Sequence, residues 1–244
     1  MKRKYADLHL RLDLQDLQKA RRMINKAAEL GFSLVGVSLQ YNFSEEKKRL
    51  LRDICNEADV DFVSRIDLRP RTPKELLDNL RRFRRSCEIV AVMCESKNVA
   101  RQAAKDRRVD LLNFRSTDFH RRFFDRAEAE LSSNSLASLE IDLKPLLALE
   151  GVLRIRLLAS LRKEVIVAQG FHIPIIVSSG ATDEMLMRKP LDMAALTSLF
   201  TLDKASAVKA VSENATAIVE RNRAKLSPKF VAPGIRVIRG GKDC

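Results

Sequence analysis

The chain has 244 residues, 45% of them apolar, which is enough for one barrel-sized domain with a buried core and excludes wholesale disorder. Lys and Arg number 45 against 32 Asp and Glu, a surplus of +13 that points to a polyanion, with nucleic acid first and an anionic membrane second. No apolar run reaches the roughly 18 residues of a spanning helix, and the basic start Met1–Asp7 lacks the apolar core of a signal peptide, so a cytoplasmic protein without a membrane partner is expected.

The first apolar run begins near Ala6 and places Asp7 and His9 on one side of a strand. The amphipathic segment after it stops at Gly31, a residue suited to the left-handed end of a helix. Further apolar runs begin near Leu34, Asp61, Ile89, Leu111, Leu139 and Ile175, with charged segments of helical period between them. Thr72-Pro73-Lys74-Glu75 supplies a cap, a first-turn proline and a capping-box glutamate; Leu76, Leu77, Leu80 and Phe83 then form one stripe. After Asp118, the residues Phe119, Phe123, Ala127 and Leu131 predict a second helical face, and Pro190 and Asp192 open another helix. Leu199–Leu202 is the one candidate for an eighth strand. From Ser227 onward, Pro228, Pro233, Gly234, Gly240 and Gly241 break helices, so residues 1–226 read as one domain. Residues 227–244 read as a basic extension, with Ile235–Ile238 docking as an extended strand.

Strands alternating with helices imply right-handed crossovers and a parallel sheet. The near-regular spacing favours an α/β, TIM-barrel-like parallel barrel with seven clear strands over a doubly wound open sheet. No Gly-x-Gly-x-x-Gly follows the first strand, which counts against a dinucleotide fold.

A barrel gathers its functional residues at the C-terminal ends of its strands. There the sequence places Asp7, His9 and Arg11; Ser38; Arg65, Asp67 and Arg69; Cys94 and Glu95; Asn113 and Arg115; Asp142 and Lys144; and Ser178, Ser179 and Gly180. Asp7 and His9 suit a metal site, but only His120 and His172 accompany them and arginines stand where further ligands are wanted, so no intrinsic metal is expected. Ser178-Ser179-Gly180 is a candidate phosphate loop, because small residues let backbone N–H groups approach an anion. The cysteines Cys55, Cys87, Cys94 and Cys244 have no C-x₂-C spacing, and the first three read as buried thiols. Basic residues cluster, and Arg81, Arg82 and Arg85 fall with Lys74 and Asp78 on the face opposite the leucines. The clustered Arg65, Arg69, Arg71, Arg81, Arg82 and Arg85 and the pair Arg188-Lys189 are candidate RNA contacts, since guanidinium forks and ammonium groups match phosphate oxygens. Few aromatics and no Trp leave little for base stacking.

Three stretches carry a family likeness: Ser64-Arg65-Ile66-Asp67-Leu68 with Glu88-Ile89-Val90-Ala91-Val92; Asp110-Leu111-Leu112-Asn113-Phe114; and Ile175–Ala181 followed by Arg188–Asp192. In this order they resemble the archaeal ribonuclease P protein component 3 family, and the likeness runs on through Ala210–Asn214 to Asn222. The resemblance implies a barrel similar to the polymerase-and-histidinol-phosphatase (PHP) enzymes without their metal cluster. It implies a subunit of the ribonucleoprotein that removes the 5′ leader of precursor tRNA, in which the RNA subunit and its Mg²⁺ carry the chemistry. Ribonuclease P RNA, precursor tRNA, component 2 and the other ribonuclease P proteins are the implied partners, and Arg115, His120 and Lys144 join the cations above as implied RNA contacts. The rival reading is a metal-dependent phosphoesterase on a PHP-type barrel.

Overall fold

The computed structural model describes residues 3–114, 122–232 and 235–236. Seven parallel strands neighbour one another in chain order: β1 (Ala6–Leu10), β2 (Leu34–Leu39), β3 (Asp61–Leu68), β4 (Ile89–Met93), β5 (Leu111–Asn113), β6 (Ser138–Asp142) and β7 (Ile175–Ser178). Their apolar runs are buried on both faces, as strands wrapped by helices must be. β7 returns to β1 through Arg11 N–H donating to the Ala181 carbonyl at 2.9 Å and Ser179 N–H donating to Asp7 Oδ1 at 3.0 Å. The sheet is a nearly closed barrel.

The helices outside it are α1 (Leu17–Leu30), α2 (Glu45–Glu57), α3 (Pro73–Phe83), α4 (Lys97–Lys105), α5 (Arg126–Ser133), α6 (Lys144–Ala148), α7 (Gly151–Gly170), α8 (Pro190–Leu196), α9 (Lys204–Ala210) and α10 (Glu213–Leu226). α1 ends at Gly31 with φ +95°. α3 starts where Thr72 Oγ1 accepts the Glu75 N–H at 3.2 Å, and its buried stripe is Leu76, Leu80 and Phe83. A short antiparallel pair, β8 (Phe230–Ala232) and β9 (Ile235–Arg236), follows α10.

Two expectations change. The helix anticipated after Asp118 begins at Arg126, because Asp125 accepts the Ala127 N–H and Glu128 returns to the Asp125 N–H, closing a capping box. Phe123 precedes that helix, and Phe119 lies outside the described residues. Leu199–Leu202 is not an eighth strand: Thr197–Phe200 forms a 3₁₀ turn. The Thr197 and Ser198 hydroxyls donate back to the Ala194 and Ala195 carbonyls and prolong the helical winding of α8.

The barrel interior has two halves. The lower half is apolar: Leu8, Val63, Ile89, Leu111 and Ile176 pack against Ala215, Ile218 and Val219 of α10, which plugs that end. The upper half is polar. Between Asp7 and Leu10 the β1 register slips, three steps along β1 against two along β2, and this bulge turns His9 into the upper lumen. Gly36 faces the bulge: a Cβ there would stand 2.4 Å from the Leu8 carbonyl oxygen. Gly36→Ala should therefore destabilise the fold by about 1–3 kcal/mol, read as a lower urea midpoint at unchanged slope.

Candidate nucleic-acid interface

Arg65 stands in the upper lumen with no exposed surface. Its Nη1 and Nη2 donate to Glu140 Oε1 at 2.5 Å and Oε2 at 2.7 Å, its Nε to Asp67 Oδ1 at 2.8 Å, and Nη1 also to the Leu8 carbonyl at 2.9 Å. Glu140 accepts further bonds from Ser178 Oγ at 2.8 Å and Asn113 Nδ2 at 2.9 Å. Asp67 Oδ2 accepts from Ser38 Oγ at 2.7 Å. Side chains of β2, β3, β5, β6 and β7 and a carbonyl of β1 thus meet in one network. Burial pulls the Arg65 pKa down, but Asp67 and Glu140 outweigh it and hold the group charged. Burial alone would raise Asp67, yet Arg65 and His9 bring it well below the usual carboxylate range.

His9 sits beside this pair. Nδ1 lies 2.7 Å from Asp142 Oδ1; Nε2 lies 3.3 Å from Asp67 Oδ2 and 3.0 Å from Arg11 Nε. Burial and Arg65 act to lower its pKa, but Asp142 and Asp67 prevail and push it up from 6.5 to about 9. The raised pKa favours the protonated ring, in which Nδ1 donates to Asp142 and Nε2 to Asp67; in the neutral ring Nε2 accepts from Arg11 Nε instead.

This geometry corrects several expectations. Arg65 cannot reach RNA, since it is sealed in the lumen and its fork is taken by Glu140 and Asp67. Ser178 and Ser179 are also buried, the Ser178 hydroxyl donates to Glu140, and the Ser179 N–H binds the Asp7 carboxylate. The loop amide meant for a phosphate is already occupied by a carboxyl group of its own chain, whose pKa burial raises. Gly180, at φ +62°, lets the loop pass Asp142, whose side chain a Cβ would meet at 3.0 Å. Asp7 and His9 do not share the direction that alternation assigned them: Asp7 Oδ1 accepts from the His9 and Ser179 N–H groups, while His9 turns to Asp142 and Asp67.

His9, Glu140 and Asp142 each bring a ligand atom within 4.8 Å of the others, close enough to share one ion. The donor set does not fit one. Both Glu140 oxygens are bonded to a fixed guanidinium, and His9 Nδ1 is bonded to Asp142. A divalent ion at that point would also face the Arg65 charge.

The remaining candidates are on the outside, and at both ends of the barrel. Strands run upward and helices downward, so Arg69 and Arg71, in the loop from β3 to α3, are at the mouth. Arg81, Arg82 and Arg85 are at the opposite end, since α3 is 11 residues, about 16 Å, long. Arg85 lies beyond the end of α3 and so does not continue its face. All five are exposed. Arg81 pairs with Asp78 at 2.9 Å, and Arg82 covers the Phe83 ring at 4.9 Å. Half-buried Lys144 donates to Thr182 Oγ1 at 2.8 Å, and burial and the neighbouring Arg11 lower its pKa. Lys144, Arg69 and Arg11 line one cavity of about 300 Å³ at the mouth, with Asp142 at its floor. Arg188 is partly committed to the Met185 and Met187 carbonyls, both at 2.8 Å. Exposed Lys189 shares a groove with Arg3 and Lys4. Arg115 and His120 lie outside the described residues.

Two further points bear on the chemistry. Burial pushes the Cys55 and Cys87 thiols up to about 12 and raises Cys94 as well, so none of the three is a ready nucleophile. Cys244 lies outside the described residues. The residue that sequence reasoning missed is Glu140; its signal was the alternation Leu139-Glu140-Ile141-Asp142, which puts two carboxylates on the face opposite two core residues.

Fold and lumen together define a basic, PHP-like α/β barrel whose interior is closed by its own ion pairs. A family model described as RNase P subunit p30 matches residues 4–227. Ribonuclease P protein component 3 of Methanosarcina barkeri is 29% identical over 220 residues, which is 88% of this chain and 87% of that protein. Its counterpart in Methanocaldococcus jannaschii is 24% identical over 238 residues, 96% of this chain and 100% of that protein. A chain of the cryo-EM structure of archaeal ribonuclease P with mature tRNA shares the fold, with a TM-score of 0.81 at 22% identity over 98% of this chain and 100% of that one. The chain belongs to the RNase P subunit p30 family and is a protein component of ribonuclease P.

Two measurements follow from the lumen. Glu140→Gln leaves buried Arg65 with Asp67 as its one carboxylate partner and should cost up to about 3–5 kcal/mol in urea unfolding, whereas Arg65→Met with Glu140→Met should recover part of the loss. The folded pKa of His9 exceeds its unfolded value, so its contribution is complete below about pH 6.5, declines as pH rises and is lost above about 9. His9→Asn should therefore lose less stability than the parent chain between those pH values; equal slopes would contradict the assignment.

Proposed function

We propose that this chain grips the catalytic RNA of ribonuclease P through exposed cations at both ends of the barrel and so supports removal of the 5′ leader from precursor tRNA. The RNA subunit and its Mg²⁺ perform the cleavage. The observation that carries the reading is the division of charge. The inward cations Arg65 and His9 are neutralised by Asp67, Glu140 and Asp142, whereas Arg69, Arg71, Arg82, Arg85 and Lys189 stand at the surface of a chain with a surplus of +13.

Such a surface recognises backbone and shape. Arginine donates two parallel bonds to a phosphate, and each phosphate neutralised releases counterions. With no Trp and 5% aromatic residues, base stacking contributes little. The chain works in the cytoplasm, with component 2 and the other ribonuclease P proteins as its protein partners. It holds no metal of its own, and the guanidinium between the would-be ligands argues against the phosphoesterase alternative.

Replacing Arg81, Arg82 and Arg85 by Ala should weaken binding to the RNA subunit and lower the slope of log K against log salt by about 0.7–0.9 for each phosphate that is no longer neutralised. An unchanged affinity and slope would remove these residues from the interface. Metal analysis of the purified chain should find only traces of Mn, Zn or Fe; a stoichiometric ion accompanied by phosphatase activity would restore the rival reading.

A further inference from the structure

α7 is unlike the other long helices of the barrel. Its inner face, with Leu157, Leu161, Val165 and Ala168, is buried in the core. Its outer face is apolar as well: Val152, Ile155 and Ile166 are 62%, 66% and 61% exposed. Single exposed aliphatics need no explanation. Here Val152, Ile155, Ala159 and Ile166 recur at intervals of three, four and seven residues, which is the seam of a heptad, over about 21 Å of helix. Leu199, 43% exposed, extends the patch from the adjoining 3₁₀ turn. A helix apolar on both sides is one that is covered on both sides.

The charges around the seam specify what covers it. α7 carries Arg154, Arg156, Arg162 and Lys163, all exposed, and its one acidic residue, Glu164, is buried against Arg122. Arg162 occupies the seam position between Ala159 and Ile166, with its Nε donating to the Leu199 carbonyl at 3.0 Å. A partner that buries this seam must bring a carboxylate to Arg162, because an unpaired guanidinium at an interface is costly. A second copy of the chain would bring further cations. RNA would meet the basic rim but not the aliphatic centre, and α7 has no aromatic side chain on which a base could stack.

We infer that the outer face of α7 docks a helix of another protein subunit, one with apolar residues at heptad spacing flanked by carboxylates. The inference rests on the chain's place in a multi-subunit ribonucleoprotein, and RNA is held elsewhere on the barrel.

The test uses the full-length chain and the double variant Ile155→Asp/Ile166→Asp, whose changes lie at exposed positions. Each is titrated separately into the RNA subunit alone and into the remaining ribonuclease P protein subunits without RNA. The variant should bind RNA within about twofold of the parent and bind the protein subunits about 30-fold or more weakly, while Ile155→Leu should bind like the parent. Unchanged binding to the protein subunits overturns the inference, as does a loss confined to RNA. A parent dimer in sedimentation that the variant lacks overturns it in favour of self-association. If the parent chain binds no protein subunit but does bind RNA, the docking inference fails and the RNA-holding reading stands; if it binds neither, both fail.

Discussion

A guanidinium removed from water must be fully paired where it is buried, and in this barrel that requirement falls on Arg65. Taking the charge out of solvent costs several kcal/mol, and Glu140, Asp67 and the Leu8 carbonyl together supply every bond that offsets it. Because those partners come from β1, β3 and β6, and Glu140 is itself held from β5 and β7, the pairing fixes how the strands meet at the mouth. Gly36 and the β1 bulge are part of the same constraint: they move the Leu8 carbonyl and His9 into reach.

The same arrangement decides what the barrel can do. Elsewhere in this architecture the upper lumen is where chemistry sits. Here Asp67, Glu140 and Asp142 are engaged by the chain's own Arg65 and His9, and the loop after β7 has its Ser179 amide turned onto Asp7. This leaves the outer surface for the RNA contacts proposed above. There the excess positive charge is spread between the two ends of the barrel rather than focused in one cleft, which suits a long, folded polyanion better than a small substrate.

Much of this was legible in the sequence, and what was not has identifiable causes. Six of the seven strands begin where the apolar runs begin, and β6 is off by one residue at Ser138, because continuous hydrophobicity is what a two-face-buried strand requires. Caps such as Thr72 and stops such as Gly31 are local and were readable. Arg65 was not, because a basic residue within a strand looks the same whether it faces solvent or a carboxylate 75 residues away. Ser179 escaped for a similar reason, its acceptor Asp7 being 172 residues distant. The β1 bulge likewise leaves no mark on a pattern of alternation, so Asp7 and His9 were paired by a periodicity the strand does not keep.

The account is tested most directly by cleavage of precursor tRNA in a reconstituted ribonuclease P, with this chain included, with it omitted, and with the chain alone. It predicts that 5′ leader removal by the RNA subunit and the other proteins slows when the chain is left out, and that the chain alone releases no leader. Leader removal by the chain in the absence of the RNA subunit would contradict it.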